Sequence, residues 1–430
     1  MNIKIKFLKS NFLNLFTIVS IYLIGTLLID FYFLNFNNDY FWCVSKQSII
    51  ELLRYPIHCD EGPYLNAISE FEFFISKNNP YQMRPLYILV FSMLFKILSI
   101  FNFLNLPTYF IFRLASLILQ IIIILLIIFQ LKKLLNLNLN LWVDKFITLI
   151  VLLIPNIRWN IFFPSHGNLT FLGLLFLLNF LNISDMNKFL KKVFTFSFFS
   201  LAHRVFILYA IFYILFNKIK LKISNKKLIY GFLALSTFPI LYEFNLLILN
   251  IDSFDWNKEN FQQFFWILNI FNNKQTLNYG DFCQKFSTFI NCNLNITIEF
   301  IFYFHINFIF LFFLIKILKK RNEKTTQNFH NLIYISIFIH LFWLFQGWYP
   351  NYRFINYSIG YFVFLGLVII SVEMFNKNTK LLFTLFFYNI SILYLEPYDL
   401  TIYSYSIFSI LSIVSYILFI FDFLKVKKIN

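Results

Sequence analysis

The chain has 430 residues, of which 59% are hydrophobic and only 13% are charged, and its mean hydropathy is +0.70. A soluble domain carries about 25% charged residues, so this composition excludes a soluble fold, because so few charges do not cover a water-facing surface. The net charge of +16 does not indicate nucleic-acid binding. The lysines form short clusters at the ends of apolar segments, which is typical of membrane topology signals.

Apolar runs long enough to cross a hydrocarbon core of about 30 Å recur along the chain. They predict an all-α polytopic membrane protein with about twelve spanning helices. The predicted spans are residues 11–28, 86–104, 108–130, 146–163, 169–183, 193–216, 228–250, 299–317, 332–346, 354–374, 381–395 and 402–424. No small-residue cleavage site follows the first run, which we interpret as a retained signal anchor. With no repeat or linker visible, residues 1–430 are predicted to form a single membrane domain.

The lysine clusters predict the topology, because positive residues are retained on the cytoplasmic side of a membrane. From Leu228 onward, strict alternation of the spans places every cluster inside. Both termini are then cytoplasmic, and two large loops, residues 30–84 and 251–298, are extracytoplasmic. We expect an integral protein of a bacterial inner or plasma membrane, with its active site on the extracytoplasmic face of the cell envelope.

The N-terminal half does not alternate so simply, because counting spans places Lys132, Lys133 and the cluster at 188–192 outside. Either the positive-inside rule is broken there, or the pattern of spans is different. In the second version, residues 86–104 only dip into the bilayer and residues 193–216 form a hairpin whose tip, His203-Arg204, points outward. We favour this version, since it moves a charged side chain away from the bilayer centre, where charge is costly.

The first large loop carries the residues with the clearest chemistry. Asp60 and Glu61 are adjacent, and Arg84 precedes a proline at the start of the next apolar run. A carboxylate at a membrane surface can take a proton from an acceptor hydroxyl or amine, and a guanidinium can stabilise a departing phosphate. A solvated pair of loop acids and an interfacial arginine anchor explain the same residues without chemistry.

These motifs resemble those of GT-C glycosyltransferases, especially the branch with dolichyl-phosphate-mannose protein mannosyltransferases and aminoarabinose transferases. The resemblance covers residues 60–116: the acid pair, Arg84-Pro85-Leu86-Tyr87 and Arg113-Leu114-Ala115-Ser116. It implies inverting transfer of a sugar from a polyprenyl-phosphate donor to a lipid, glycan or protein acceptor at the outer face. Asp60 would be the catalytic base and Glu61 its partner or substitute. The chain departs from the family in having a single proline after Arg84.

The resemblance also implies residues that bind the donor. Arg84 occupies the place of a basic residue that contacts the carrier phosphate, and Arg353, in Trp348-Tyr349-Pro350-Asn351-Tyr352-Arg353-Phe354, resembles a basic residue of a late outer loop. His203 and Arg204 are further candidates, because adjacent ionisable residues in an apolar segment are functional by default. Candidate residues for lining the site are His58, Tyr64, Tyr81 and His166. Interfacial anchoring explains Arg353, helix pairing explains His203 and Arg204, and a turn explains His166 equally well.

Two further parts of the extracytoplasmic loops leave alternatives open. The loop 251–298, with Trp256 and Trp266, fits part of an acceptor surface or an interfacial cover. The cysteines lie in two pairs, one in each loop, and fit either two local disulfides or four thiols. The pairs are Cys43 with Cys59 and Cys283 with Cys292.

Other chemistries find little support, since motifs of zinc sites, phosphate-binding loops and serine hydrolases are missing from the sequence. We therefore predict no cofactor and assign no metal ligands. A divalent ion bound by Asp60 and Glu61 stays an open alternative, although two carboxylates alone are a weak metal signal. The alternative function is a flippase or transporter of lipid-linked glycan, with His203 and Arg204 along its path. A polymerase or ligase of surface polysaccharide is a further alternative, and nucleic acid is not an expected partner.

Overall fold

The computed structural model describes residues 61–70, 84–101, 105–135, 167–181, 186–221, 223–249 and 323–345, together with residues 82, 148, 151, 362, 365, 366 and 414. These residues are almost entirely helical and contain no strand, which confirms the all-α prediction for this part of the chain. The helices are α1 (Glu61–Ser69), α2 (Pro85–Ser99), α3 (Thr108–Leu135), α4 (Gly167–Phe180), α5 (Met186–Ser200), α6 (Val205–Leu221), α7 (Asn225–Ile248) and α8 (Glu323–Phe345).

Backbone contacts divide the chain into two units. The first unit comprises Met1–Leu141 and Asn156–Asp255 and contains α1 to α7. The second comprises Trp142–Pro155 and Trp256–Asn430 and contains α8, where Phe329 packs against Phe362 at 5.3 Å between ring centroids. The candidate site described below lies within the first unit.

Two of the described helices, α3 and α7, are long and apolar enough to cross a membrane, while α2, α4 and α6 contain shorter apolar segments. The predicted spans 108–130, 169–183, 228–250 and 332–346 correspond to α3, α4, α7 and α8. Helix α2 has 15 residues and is therefore about 22 Å long, shorter than a hydrocarbon core of about 30 Å. The predicted spans 11–28, 146–163, 299–317, 354–374, 381–395 and 402–424 lie wholly or almost wholly outside the described residues, as does the loop 251–298.

The prediction of one span over residues 193–216 is wrong, because this segment is two helices. Helix α5 ends at Ser200 and α6 begins at Val205, and the turn between them carries His203 and Arg204. The backbone N–H of His203 donates to the carbonyl of Phe199, and the imidazole Nδ1 of His203 accepts the N–H of Val205 at 3.1 Å. The turn therefore ends α5 and caps the start of α6, which agrees with the hairpin version of the topology. That the tip of this hairpin points out of the cell stays a prediction.

Aromatic rings hold the two helices of this hairpin together. Phe199 stacks on Phe206 with 5.4 Å between ring centroids, and Phe189 stacks on Tyr213 at the same distance. Because residues near the turn pair with one another and residues far from it do likewise, α5 and α6 are antiparallel. Helix α7 runs beside α5 in the same direction, since Ser197 donates to the carbonyl of Leu235 and Gly231 lies against Phe189.

Helix α4 supports the hairpin through a glycine. A Cβ atom added at Gly173 would lie only 2.7 Å from Cε2 of Tyr209, so the ring occupies the space of the missing side chain. The Tyr209 hydroxyl donates to the carbonyl of Thr170 at 2.9 Å.

Helices α3 and α4 are parallel neighbours joined by buried amides. Asn168 donates to the side-chain oxygen of Gln120 at 2.8 Å, and Asn179 donates to that of Gln130 at 3.0 Å. The second pair lies about as many residues beyond the first in α3 as it does in α4. The two helices therefore run in the same direction, and these pairs define which residues face one another. Such hydrogen bonds between apolar helices contribute about 0.6 kcal/mol each.

Candidate functional site

Glu61 is the first residue of α1 and is buried beneath α3. Its carboxylate forms a salt bridge to Arg113 of α3, with Arg113 Nη2 donating to Oε2 at 2.9 Å and Nε donating to Oε1 at 3.3 Å. The side chain of Glu61 is only 1% exposed and that of Arg113 only 12%. Both oxygens of Glu61 are thus engaged in a two-point contact that fixes the plane of the carboxylate.

The next turn of α1 is joined to α2. Arg84, which precedes Pro85 at the start of α2, donates from Nη1 to the hydroxyl of Tyr64 at 3.0 Å. Further along, Ser92 of α2 donates to the carbonyl of Ile68 at 2.6 Å. Helix α1 therefore lies along α2, and the guanidinium of Arg84 contacts a side chain that begins about one helical turn after Glu61. Asp60, which precedes Glu61 in the sequence, lies outside the described residues.

The first turn of α2 also contacts the tip of the α5–α6 hairpin. The N–H of Leu86 donates to the carbonyl of Leu201 at 3.0 Å. This contact brings Arg84 close enough to act electrostatically on His203 and Arg204. We call Arg84, His203 and Arg204 the arginine cluster.

The end of α7 completes the surroundings of the arginine cluster. Glu243 attracts Arg204, and its neighbour Tyr242 donates from its hydroxyl to the carbonyl of Gln82 at 2.9 Å. Three separate segments, near residues 84, 203 and 243, thus meet in one place.

The electrostatics of the arginine cluster favour an anion. Burial, followed by the positive charges of Arg84 and Arg204, lowers the pKa of His203 well below its usual value. The neutral imidazole accepts a hydrogen bond at Nδ1, so its proton is on Nε2. The two guanidinium groups of Arg84 and Arg204 face one carboxylate, that of Glu243.

The structure brings together several residues that the sequence predicted separately. Glu61, Tyr64, Arg84, His203 and Arg204 lie at or beside the same site. The other candidates lie outside the described residues: His58, Asp60, Tyr81, His166 and Arg353, together with all four cysteines.

Sequence reasoning missed three contributions to the site. Arg113 was noted for the family resemblance, but its salt bridge to Glu61 was not expected. Tyr242 had no signal, because the chain contains 25 tyrosines. Glu243 could have been identified from the sequence, because a carboxylate within the predicted membrane span 228–250 is energetically costly unless it has a role.

The contacts of Glu61 also indicate how well this site could hold a metal ion. In the part of the chain that the structure describes, no three His, Cys, Asp or Glu side chains converge to hold one. A divalent ion between Asp60 and Glu61 would compete with Arg113 for both carboxylate oxygens of Glu61. The residues present therefore fit a positioned acid better than a metal ligand.

The chain matches no family model, no curated protein and no solved structure. Its function is therefore argued from the chemistry of the site.

Proposed function

We propose that this protein is a polytopic membrane glycosyltransferase of GT-C type. It transfers a sugar from a polyprenyl-phosphate donor to a lipid, glycan or protein acceptor on the extracytoplasmic face of the membrane, with inversion. The observation that carries the proposal is the hydrogen bond from Arg84 to Tyr64 at 3.0 Å. It joins the helix that begins at the acid pair to the guanidinium that would hold the carrier phosphate.

The distribution of positive charge supports the orientation. The arginine cluster lies at the end of the first unit where α5 and α7 end and α6 begins. Lysines occupy the opposite ends of these helices, and further lysines lie in the last turn of α3. They are Lys132, Lys133, Lys188, Lys191, Lys192, Lys218, Lys226 and Lys227. We call this the lysine end. Under the positive-inside rule it faces the cytoplasm, so the arginine cluster faces outward.

Within this proposal the two acids have different roles. Arg113 engages both oxygens of Glu61 in a buried site, so Glu61 is a positioning residue that fixes the start of α1. Asp60 is then the catalytic base. It takes the proton from the acceptor hydroxyl or amine as that group attacks the anomeric carbon of the sugar. The new glycosidic bond forms while the bond from the sugar to phosphate breaks, and a single displacement inverts the configuration.

The arginine cluster binds the leaving group. The negative charge on polyprenyl phosphate grows as the bond to the sugar breaks, and Arg84 and Arg204 stabilise it. The Nε2–H of His203 supplies a neutral donor beside them. Arg353 as a second phosphate ligand, and His58, Tyr81 and His166 as lining residues, stay predictions. No cofactor takes part, since the lipid carrier supplies the activated sugar.

The substitution Asp60→Asn tests the base. We expect kcat for sugar transfer from a synthetic polyprenyl-phosphate sugar, measured in proteoliposomes, to fall by about 10² to 10⁴-fold, with donor binding retained. Glu70→Gln is the matched control, because Glu70 follows the last residue of α1 and is exposed. It should leave kcat unchanged.

Other outcomes would decide for the rival functions. An Asp60→Asn variant as active as the parent overturns the proposal. Movement of the lipid-linked sugar across the bilayer with no transfer product would identify a flippase. Elongation of a glycan on its lipid carrier would identify a polymerase.

A further inference from the structure

At the lysine end, positively charged side chains lie near the C-terminus of α4. Lys192 of α5 is only 8% exposed, and its Nζ donates to the carbonyl of Phe180 at 3.1 Å and lies 4.8 Å from the centroid of the Phe180 ring. Lys133 of α3 and Lys188 of α5 are close enough to repel Lys192. Ammonium groups from two helices therefore converge beside a third.

An exposed apolar stripe leads away from these lysines. Ile122, Leu126 and Phe129 are exposed on α3. Their spacing of four and then three residues places them on one helix face, and Lys133, four residues further, ends the same face. The stripe thus consists of about three turns of apolar side chains capped by one ammonium group.

In the part of the chain that the structure describes, helices α3 to α7 contain few acidic residues. Among the described residues of α3 to α7, the carboxylate of Glu243 lies at the opposite end. Asp185, which immediately precedes α5 in the sequence, lies outside the described residues. Among the described residues of α3 to α7, lysines therefore outnumber acids at this end.

We propose that the exposed Lys133 and Lys188 bind the phosphate headgroup of an anionic phospholipid of the cytoplasmic leaflet, beside the buried Lys192. Its acyl chains lie along Ile122, Leu126 and Phe129. The apolar stripe favours a lipid over a free phosphate ion, because an inorganic anion gains nothing from it. Lysines at the cytoplasmic ends of membrane helices attract anionic lipids in this way. The site rests on the proposed membrane orientation and is independent of sugar transfer.

Two double variants separate a specific site from a general positive field. Lys133→Gln with Lys188→Gln removes two charges from the proposed site, and Lys226→Gln with Lys227→Gln removes two from the start of α7 at the same end. The full chain in detergent is titrated with phosphatidylglycerol or phosphatidylcholine, and bound lipid is counted by native mass spectrometry. We expect the first variant to bind phosphatidylglycerol roughly thirtyfold more weakly and the second to remain near the parent, with phosphatidylcholine binding unchanged.

The other possible results also decide whether the lipid site exists. Equal losses in the two double variants would show a diffuse field and overturn the proposal, as would displacement of the lipid by inorganic phosphate. Lys133→Arg with Lys188→Arg should retain binding. If the first variant does not elute as a single species in size-exclusion chromatography, single Lys133→Gln and Lys188→Gln variants replace it, each expected to bind roughly fivefold more weakly. Sugar transfer in neutral lipid should not change, so loss of this site and loss of the enzyme activity are distinguishable.

Discussion

The two ends of the first unit carry positive charge in different ways. At one end the cations are arginines: Arg113 pairs with Glu61, Arg84 donates to Tyr64, and Arg204 is attracted by Glu243. At the other end they are lysines, and the buried Lys192 contacts a backbone carbonyl and a ring. A guanidinium makes directional two-point contacts, whereas an ammonium group is a compact point charge. Fixed geometry at one end suits a positioned reaction, and the field at the other suits loosely oriented headgroups.

Breaking the Glu61–Arg113 salt bridge should have the largest effect at the arginine end. Glu61→Gln removes the carboxylate charge that Arg113 contacts at two points, and breaking a buried pair in this way costs about 3–5 kcal/mol. The free energy of unfolding in detergent should fall by that amount. Because Glu61 fixes the start of α1, sugar transfer should fall as well.

Two further variants sharpen this result. Glu243→Gln removes an exposed carboxylate beside Arg204 and should cost no more than about 1 kcal/mol. Glu61→Gln combined with Arg113→Met removes both charges and should be less destabilising than Glu61→Gln alone. Equal stability of the Glu61→Gln and Glu243→Gln variants would contradict the structural importance of the buried pair.

Removing the guanidinium of Arg84 should have an intermediate effect, confined to binding. Arg84→Ala should raise the Kd for the polyprenyl-phosphate donor roughly tenfold to a hundredfold, the loss expected for one hydrogen bond to a charged group. At saturating donor, kcat should change much less. Isothermal titration with a non-hydrolysable donor analogue, together with steady-state kinetics, measures the two effects separately.

Controls for Arg84 lie on the same two helices. Lys96→Ala, in the last turn of α2, removes an exposed cation and should leave donor binding unchanged. Tyr64→Phe removes the hydroxyl that accepts from Arg84, so it should weaken donor binding by less than Arg84→Ala does. Donor affinity that is unchanged in Arg84→Ala would refute the phosphate role.

The smallest effect concerns pH and His203. The pKa of His203 is lower in the folded protein than the value of about 6.5 in an unfolded chain. Below that pH the unfolded state therefore binds the extra proton, and stability should fall as pH decreases, by no more than about 1.4 kcal/mol per pH unit. Above it, His203 should contribute no pH dependence.

Thermal unfolding near about pH 7.5 and about pH 5.5 measures this dependence. His203→Asn keeps a side-chain acceptor for the N–H of Val205, since asparagine also caps helices, but it does not titrate. Its loss of stability at the lower pH should be smaller than that of the parent. An identical loss would show that other groups cause it.

The sequence predicted the apolar helices more successfully than the contacts between them. Hydrophobic runs alone located α3, α4, α7 and α8, because lipid-length apolar segments are a local signal. The turn at residues 201–204 contains no proline or glycine, so the ionisable pair His203-Arg204 was its one indication. Local sequence carried enough information to suspect the hairpin and too little to exclude a single helix.

The site depends on contacts between residues distant in sequence. Glu61 and Arg113 are 52 residues apart, and Tyr242 and Gln82 are 160 apart. Packing of the whole unit decides which of the many polar residues meet, and no spacing rule within one helix predicts it. The role of Arg84 as an anion ligand, expected from its position before Pro85 and from the family resemblance, stays a prediction. The hydrogen bond from Arg84 to Tyr64 required the structure.

Gly173 has a consequence for residues that it does not touch. The ring of Tyr209 fills the space where a Cβ atom would lie, and Tyr209 belongs to the helix that begins directly after Arg204. A methyl group at position 173 would displace the rings of Tyr209 and Phe206, which lie in the first turns of α6 after Arg204. The missing side chain of Gly173 thus helps to set where the hairpin tip meets α2.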